Sequence, residues 1–332
     1  MNNASQLATE YQMAMNGAVF FDRSQVGKIT ATGPEAGKFL HNMASNDVLS
    51  LKPGECRELF FATAKAKVVA HAHVHRRQVS GDDDCYWLEV APGVQAKLFN
   101  HLNHYLISEQ VEFVDLSGEF VQFLVTGTNA EQFLERAPDS IVGKLMSRAG
   151  TDPGSHVRSS DALGIPGFDI LCRKEEGNAV RSALAGLGVN EAGMDLYDTL
   201  RIEAGIPEQE RDFDENYLIM ELGRTAQAIS YSKGCYLGQE PVVRSRDIGH
   251  VNRSLIGVKF ASADPVPFVA KLKRNGEEVG QLATAAYSPR LGATIALAFI
   301  RRGHQEPGTQ VELVTAGASR FAIVTTLPFV PT

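Results

Sequence analysis

The stretch KGCYLGQE, residues 233–240, combines residue types that could do chemistry: a cation, a thiol, an aromatic ring, an amide and a carboxylate. Its two glycines permit a left-handed backbone or close approach to a ligand, and Pro241 suits the first position of a helix. Cys235 would then precede a helix N-terminus and lie two residues from Lys233, and both features favour the thiolate. We therefore expect a catalytic role for Cys235, as a reactive thiol, and for Lys233. The alternative is a buried cysteine in a tight glycine turn.

The same residues resemble the KGCYxGQE signature of the YgfZ/GcvT-like folate-binding family, with Leu237 at the variable place. These proteins are related to the glycine cleavage T-protein, an aminomethyltransferase, and are linked to assembly and repair of iron-sulfur clusters. The resemblance implies tetrahydrofolate or another folate as cofactor, and it makes Tyr236 and Gln239 candidate folate-binding residues. It also implies partners among iron-sulfur client or assembly proteins, including tRNA-modifying iron-sulfur enzymes.

A second candidate residue lies at the end of a predicted helix that begins at Met194 and stops before Gly205. Glu203 falls in its last turn, where a carboxylate opposes the helix dipole unless a cation or a hydrogen-bond donor meets it. The segment LRIEAGIP, residues 200–207, resembles the LRxEAG segment of T-proteins and YgfZ proteins, whose glutamate contacts the pterin ring of folate. A carboxylate suits the two adjacent N–H donors of that ring. The alternative is a solvent-facing glutamate.

Three arginines follow the signature at short range: Arg244, Arg246 and Arg253. Folate has an anionic glutamyl tail, and the guanidinium fork suits carboxylates. All three are therefore candidate cofactor-binding residues, although at least one of them could form an ordinary salt bridge instead, and the spacing does not choose between them.

Composition limits the classes of function. With 332 residues, of which 44% are hydrophobic, the chain can bury a large core. The net charge of −7 argues against strong direct binding to nucleic acid. No run is long and apolar enough to cross a membrane, and the start lacks the pattern of a secretory signal, so we expect a cytoplasmic protein, which we take to be a monomer. The four cysteines are scattered without metal-like spacing, so we predict no stably bound metal or cluster.

Short strands and helices alternate in units compatible with antiparallel sheets, which predicts an α+β fold. We expect residues 1–253 to form a T-protein-like folate-binding module of two α+β subdomains, with the chain crossing between them near 47–60 and 137–165. Residues 254–332 read as alternating short strands with a turn signal at Asn275-Gly276. They resemble the C-terminal domain of T-proteins and predict a small β-barrel.

One predicted strand places His71, His73 and His75 on a single face, and such pairs can ligate zinc. Since no carboxylate or cysteine lies nearby in the sequence, we interpret this face as a solvated strand surface and predict no metal site.

Residues of the same strand distinguish between two candidate functions. T-proteins have a GGxxDD-like stretch here, whose aspartate is thought to position and activate the folate amine; in this chain Ala70 and His71 replace the acidic pair. Alanine cannot accept a hydrogen bond, and histidine accepts one only as neutral imidazole. The sequence therefore favours a folate-binding accessory protein for iron-sulfur proteins. A tetrahydrofolate-dependent aminomethyltransferase or demethylase stays open as the alternative, and whether the protein is an enzyme is undecided.

Overall fold

The computed structural model describes residues 3–78, 84–135, 155–160, 162–267, 270–315 and 318–330. Its helices are α1 (Asn3–Asn16), α2 (Ala36–Met43), α3 (Gln95–Tyr105), α4 (Ala130–Glu135), α5 (Gly177–Gly186), α6 (Met194–Glu203), α7 (Thr225–Ala228) and α8 (Gln239–Asp247). Its strands are β1 (Val19–Asp22), β2 (Gly27–Thr32), β3 (Cys56–Ala62), β4 (Val68–Gln78), β5 (Asp84–Val90), β6 (Glu112–Asp115), β7 (Phe120–Thr126), β8 (His156–Ser160), β9 (Gly167–Arg173), β10 (Asn190–Glu191), β11 (Arg253–Phe260), β12 (Lys271–Arg274), β13 (Glu277–Ser288), β14 (Ala293–Arg301), β15 (Gln310–Thr315) and β16 (Ala318–Thr325).

The strands form two open sheets and a barrel. The first sheet has the order β3-β4-β5-β2-β6 and the second has the order β10-β1-β7-β9-β8. Neighbours are antiparallel except for the parallel pair β1 and β10. The last six strands close a barrel in the order β11-β14-β13-β12-β15-β16. The predicted α+β fold with a C-terminal barrel is confirmed.

The chain passes between the two open sheets at other places than predicted. It leaves the second sheet after β1 and returns to it between β6 and β7. The crossing predicted near 47–60 is wrong, because β2, which precedes that range, and β3, which begins within it, belong to the same sheet. The buried face of α2, formed by Ala36, Phe39, Leu40 and Met43, joins the core of this sheet. The crossing predicted near 137–165 lies largely outside the described residues.

Helix α6 is fixed to the barrel by a buried cation. Arg201 is fully buried, and its guanidinium forms ion pairs with Asp198 at 2.8 Å and Asp212 at 2.7 Å. It also donates to the Thr284 hydroxyl of β13 at 3.0 Å. A buried guanidinium that lost one such partner would cost about 3–5 kcal/mol. These contacts determine where the last residue of α6, Glu203, lies against the barrel.

The hairpin that joins β13 to β14 contacts α6. Ser288 pairs with Ala293 where β13 turns into β14, and the Thr199 hydroxyl of α6 donates to the neighbouring Tyr287 carbonyl at 3.3 Å. At the other predicted turn, Asn275 and Gly276 have φ of 53° and 85° and join β12 to β13, which confirms the turn signal. Ser288 is thereby held at the C-terminal end of α6.

The face of β4 with the three histidines is covered by other parts of the chain, so its interpretation as a solvated surface is wrong: His71 packs against Phe60 and Phe213, and His75 lies towards the second sheet. His75 is 6% exposed, and burial lowers its pKa well below the ordinary value. Its Nε2 lies 3.8 Å from Glu89, which forms an ion pair with Arg158 of the second sheet. Neighbouring strands supply the acidic residues that the local sequence lacks. No group of three or more potential ligands in the described ranges has a geometry that would hold a metal ion.

Candidate functional site

Glu203 is a buried carboxylate at the point where α1, α6 and the barrel meet. Its residue is 5% exposed. The Tyr11 hydroxyl of α1 donates to it at 3.0 and 3.3 Å, and the Ser288 hydroxyl makes a short hydrogen bond to it. The donors that the helix dipole argument required are therefore present, although neither is near Glu203 in the sequence. The alternative of a solvent-facing glutamate is wrong.

The electrostatics of Glu203 follow from this burial. Burial raises the pKa of Glu203, while the hydrogen bonds from Ser288 and Tyr11 oppose the rise. Burial and the nearby carboxylate together raise the pKa of Tyr11, so that its hydroxyl remains a donor at neutral pH. Among the described residues no cation forms an ion pair with Glu203. The carboxylate is thus held in place by neutral donors, while Arg290 attracts it electrostatically without forming an ion pair.

Lys233 contacts backbone rather than lying open beside a thiol. Its ammonium donates to the carbonyls of Ala44 at 2.7 Å and Asn46 at 3.2 Å, and makes a short hydrogen bond to that of His41. These carbonyls lie at and just beyond the C-terminus of α2, where helix carbonyls lack intrahelical partners. Burial lowers the pKa of Lys233 to about 8. The side chain predicted to be catalytic therefore anchors the signature segment to α2.

Cys235 is exposed, so the alternative of a buried cysteine is wrong. The helix that follows begins at Gln239 rather than at Pro241, with Gly238 as its N-cap at a φ of 85°. Pro241 is accommodated because first-turn N–H groups have no intrahelical partner to lose. Cys235 consequently lies four residues before the helix, and the thiolate-favouring helix end that we predicted is not adjacent to it.

Gly238 allows the signature segment to pack closely against the turn between β3 and β4. A Cβ on Gly238 would lie 2.5 Å from the Thr63 carbonyl oxygen in the turn between β3 and β4. The Leu237 N–H donates to the Asn42 carbonyl of α2 at 3.0 Å. Tyr236 is buried, with the Lys233 ammonium 4.9 Å from its ring centroid, and Gln239 is half-buried. The structure therefore brings the signature together with α2 and the β3–β4 turn, and shows no bond between it and Glu203.

Each of the three candidate arginines has an acidic neighbour. Arg244 pairs with Glu240 at 2.9 Å on the exposed side of α8, and Arg246 pairs with the adjacent Asp247. Arg253 lies 3.2 Å from Glu221 and 4.0 Å above the Tyr217 ring. The alternative of a salt bridge at one or more of these arginines is confirmed, and a role of the three in binding folate stays a prediction.

His71 is paired with a carboxylate that sequence reasoning missed. Its Nε2 lies 2.8 Å from Oε1 of Glu58 on the neighbouring strand β3, and Glu58 binds Arg224 through both carboxylate oxygens. Burial alone would raise the pKa of Glu58, but hydrogen bonds from Arg224 and His71 hold this pKa well below its ordinary range. Because an ionised carboxylate only accepts, Nε2 carries a proton, and in neutral imidazole Nδ1 is then the acceptor. Ala70 is fully buried beside it.

Comparison with known proteins identifies the family of this chain. The model of the GCVT N-terminal domain matches residues 2–230, and that of the glycine cleavage T-protein C-terminal barrel domain matches residues 253–331. The chain belongs to the glycine cleavage T-protein family. It is 25% identical to the aminomethyltransferase of Symbiobacterium thermophilum over 98% of its own length and 89% of that protein, and 26% identical to that of Geobacillus sp. (strain WCH70) over 98% and 90%.

The T-protein fold extends over the whole molecule. The crystal structure of glycine cleavage system aminomethyltransferase T from Bartonella henselae superposes with a TM-score of 0.87 at 21% identity, covering 98% of this chain and 90% of that one. The two open sheets and the closed barrel of this chain are therefore those of the T-protein fold. Throughout the described ranges, no helix is long and apolar enough to span a membrane.

Proposed function

We propose that this protein binds tetrahydrofolate and that the Glu203 carboxylate accepts hydrogen bonds from the pterin ring. The observation that carries the proposal is a buried carboxylate whose described side-chain partners are two hydroxyl donors, Tyr11 and Ser288. Such a group is costly to bury unless its charge is used. Its acceptor capacity exceeds what two hydroxyls require, and membership in the T-protein family makes a folate the natural ligand.

We further propose that the protein is an accessory factor for iron-sulfur proteins, in the manner of the YgfZ/GcvT-like family. Its KGCYLGQE segment presents an exposed thiol at Cys235. At the strand positions where T-proteins have their acidic pair, Ala70 is buried and His71 is bound to Glu58. In this proposal folate stabilises the central fold, and Cys235 meets the clients, among them tRNA-modifying iron-sulfur enzymes, without a resident cluster.

A second candidate function is aminomethyl transfer to tetrahydrofolate, and the names of the relatives match it better than they match the accessory role. One observation in the site also favours it. Glu58 brings a carboxylate to within 2.8 Å of His71, at the strand position where the family has its acidic pair. A carboxylate that accepts from Nε2 leaves Nδ1 of a neutral imidazole as a fixed hydrogen-bond acceptor, as a general base requires. The missing aspartate could thus be replaced by residues on two strands.

Two assays on the same purified protein decide between these functions. In the first, aminomethylated carrier protein is incubated with tetrahydrofolate and ammonia release is measured for wild type and Glu58→Gln. The accessory proposal predicts no release above background, whereas release that falls in Glu58→Gln would establish the transferase. In the second, cells without the native gene receive wild type or Cys235→Ser, and the activity of iron-sulfur enzymes is measured. Equal activity with both genes would overturn the role of Cys235.

A further inference from the structure

A cleft with a volume of about 330 Å³ lies between α8 and the end of barrel strand β14. We call it the basic cleft; its polar lining comprises Thr225, Tyr231, Ser245, Arg246, His250, Arg302 and Gln305. No aspartate or glutamate is among its lining residues. Cations, hydroxyls and an amide with no lining carboxylate form a surface that suits an oxyanion.

The charge of the basic cleft is only partly neutralised. The Arg246 guanidinium pairs with Asp247 through Nε and one Nη at 2.5 and 2.9 Å, and lies 4.3 Å from the centroid of the Tyr231 ring. The pairing and the stacking fix the guanidinium while its second Nη remains without a hydrogen bond to any described residue. Arg302 forms no ion pair within the part of the chain that the structure describes. The cleft is therefore lined by Arg246, which Asp247 and Tyr231 hold in place, and by Arg302, which forms no ion pair with any described residue.

The basic cleft is separate from Glu203. The Glu203 carboxylate meets Ser288, which pairs with Ala293 at the start of β14, whereas Arg302 follows the other end of that strand. Ala293 and Arg302 are nine positions apart in the sequence, which corresponds to about 30 Å along an extended strand. A ligand in the cleft is consequently a second molecule or the far end of a long one.

We propose that the basic cleft binds an oxyanion, carboxylate or phosphate, held by Arg302 and the free edge of Arg246. Two sources share this chemistry: a phosphoryl group, and a chain of γ-linked glutamates that extends from a folate. The volume accommodates a short anionic chain or a phosphorylated small molecule but not a protein domain.

The test is calorimetric titration at low salt with inorganic phosphate and, separately, with γ-linked triglutamate. We expect at least one probe to bind, Arg302→Gln to weaken it about tenfold, and Arg301→Gln to change it by less than about twofold. Arg301 is the matched control because it is adjacent, exposed and directed to Glu278 of the barrel. Binding of phosphate alone identifies a phosphoryl ligand, and binding of triglutamate alone identifies a glutamyl chain.

Binding of neither probe would overturn the proposal, as would equal weakening in Arg302→Gln and Arg301→Gln, since that would reflect general surface charge. Both arginines are exposed, so neither substitution should impair folding, and unchanged urea midpoints verify this. Titration of the same variants with tetrahydrofolate monoglutamate separates the two sites. Loss of its binding in Glu203→Gln with retention in Arg302→Gln is expected, because the monoglutamate is held at Glu203.

Discussion

Replacement of Lys233 by methionine tests whether this signature residue serves structure or chemistry. Its ammonium donates to three backbone carbonyls at the end of α2. A hydrogen bond to a charged group contributes about 1.5–3 kcal/mol, and an acceptor left buried without a partner costs about 1–3 kcal/mol. The three bonds share one cation and are not additive, so we expect Lys233→Met to lower the free energy of unfolding by about 2–4 kcal/mol. Methionine retains the apolar stem, which limits the change to the ammonium.

The assay is urea denaturation, in which the midpoint shift multiplied by the slope gives the change in free energy. Lys38→Met on the exposed side of the same helix is the control, and it should change stability by less than about 0.5 kcal/mol. The effect also depends on pH. The pKa of Lys233 falls from 10.5 to about 8 on folding, so between these values the native state binds fewer protons than the unfolded chain. The stability of wild type relative to Lys233→Met should therefore increase as pH rises through this window.

If Lys233→Met were as stable as Lys38→Met, the contacts with α2 would contribute nothing, and Lys233 would return to consideration as a catalytic cation. If it were destabilised but the gap did not change between pH 8 and 10.5, the burial of the ammonium would be refuted.

Three further outcomes follow from the structure. Urea midpoints should show Glu203→Gln to be more stable than wild type at pH 7 but not at pH 4. Folding raises the pKa of this carboxyl above its unfolded value of 4.5, so the carboxyl contributes stability below pH 4.5 and loses that contribution as pH rises through the folded pKa. Alkylation followed by mass spectrometry should label Cys235 in the native protein within minutes and leave Cys85 and Cys172 unlabelled, since burial raises the pKa of those two thiols to about 11 and about 12; labelling of all three would contradict this. Gly238→Ala should lower the free energy of unfolding by about 2–5 kcal/mol, because its Cβ would meet the Thr63 carbonyl. Gly93 has the same φ of 85° with open space around it, so Gly93→Ala should lower that free energy by only about 1–2 kcal/mol. Equal destabilisation by the two substitutions would refute the close packing of the signature segment against the β3–β4 turn.

Local patterns in the sequence were sufficient for elements whose structure depends on nearby residues. The bounds of α6 and the turn at Asn275-Gly276 both follow from helix-end and turn chemistry, and the structure confirms them. The resemblance of LRIEAGIP to the LRxEAG segment likewise depends on a few consecutive residues, and the folate-binding role that it implies for Glu203 stays a prediction. These features could be predicted because each is determined within one or two turns of chain.

The partners of the site residues could not be predicted in this way. Tyr11 is 192 residues from Glu203, Glu58 is 166 residues from Arg224, and the carbonyls that Lys233 binds precede it by 187–192 residues. No periodicity records such pairings, which arise only when the sheets and the barrel pack together. The histidine face of β4 was misjudged for the same reason, since a strand with polar residues on one face looks solvated until a second sheet covers it.

The most direct test of the central claim is calorimetric titration of the wild type and Glu203→Gln with tetrahydrofolate at pH 7. Glutamine keeps the size of the side chain and removes its charge, so loss of charge-assisted hydrogen bonds should weaken binding about tenfold or more. Glu240→Gln, at an exposed carboxylate of the signature segment, is the control and should bind like the wild type. Tight binding by wild type and Glu240→Gln with weak binding by Glu203→Gln would support the account. Equal affinity in all three proteins, or no binding by the wild type, would contradict it.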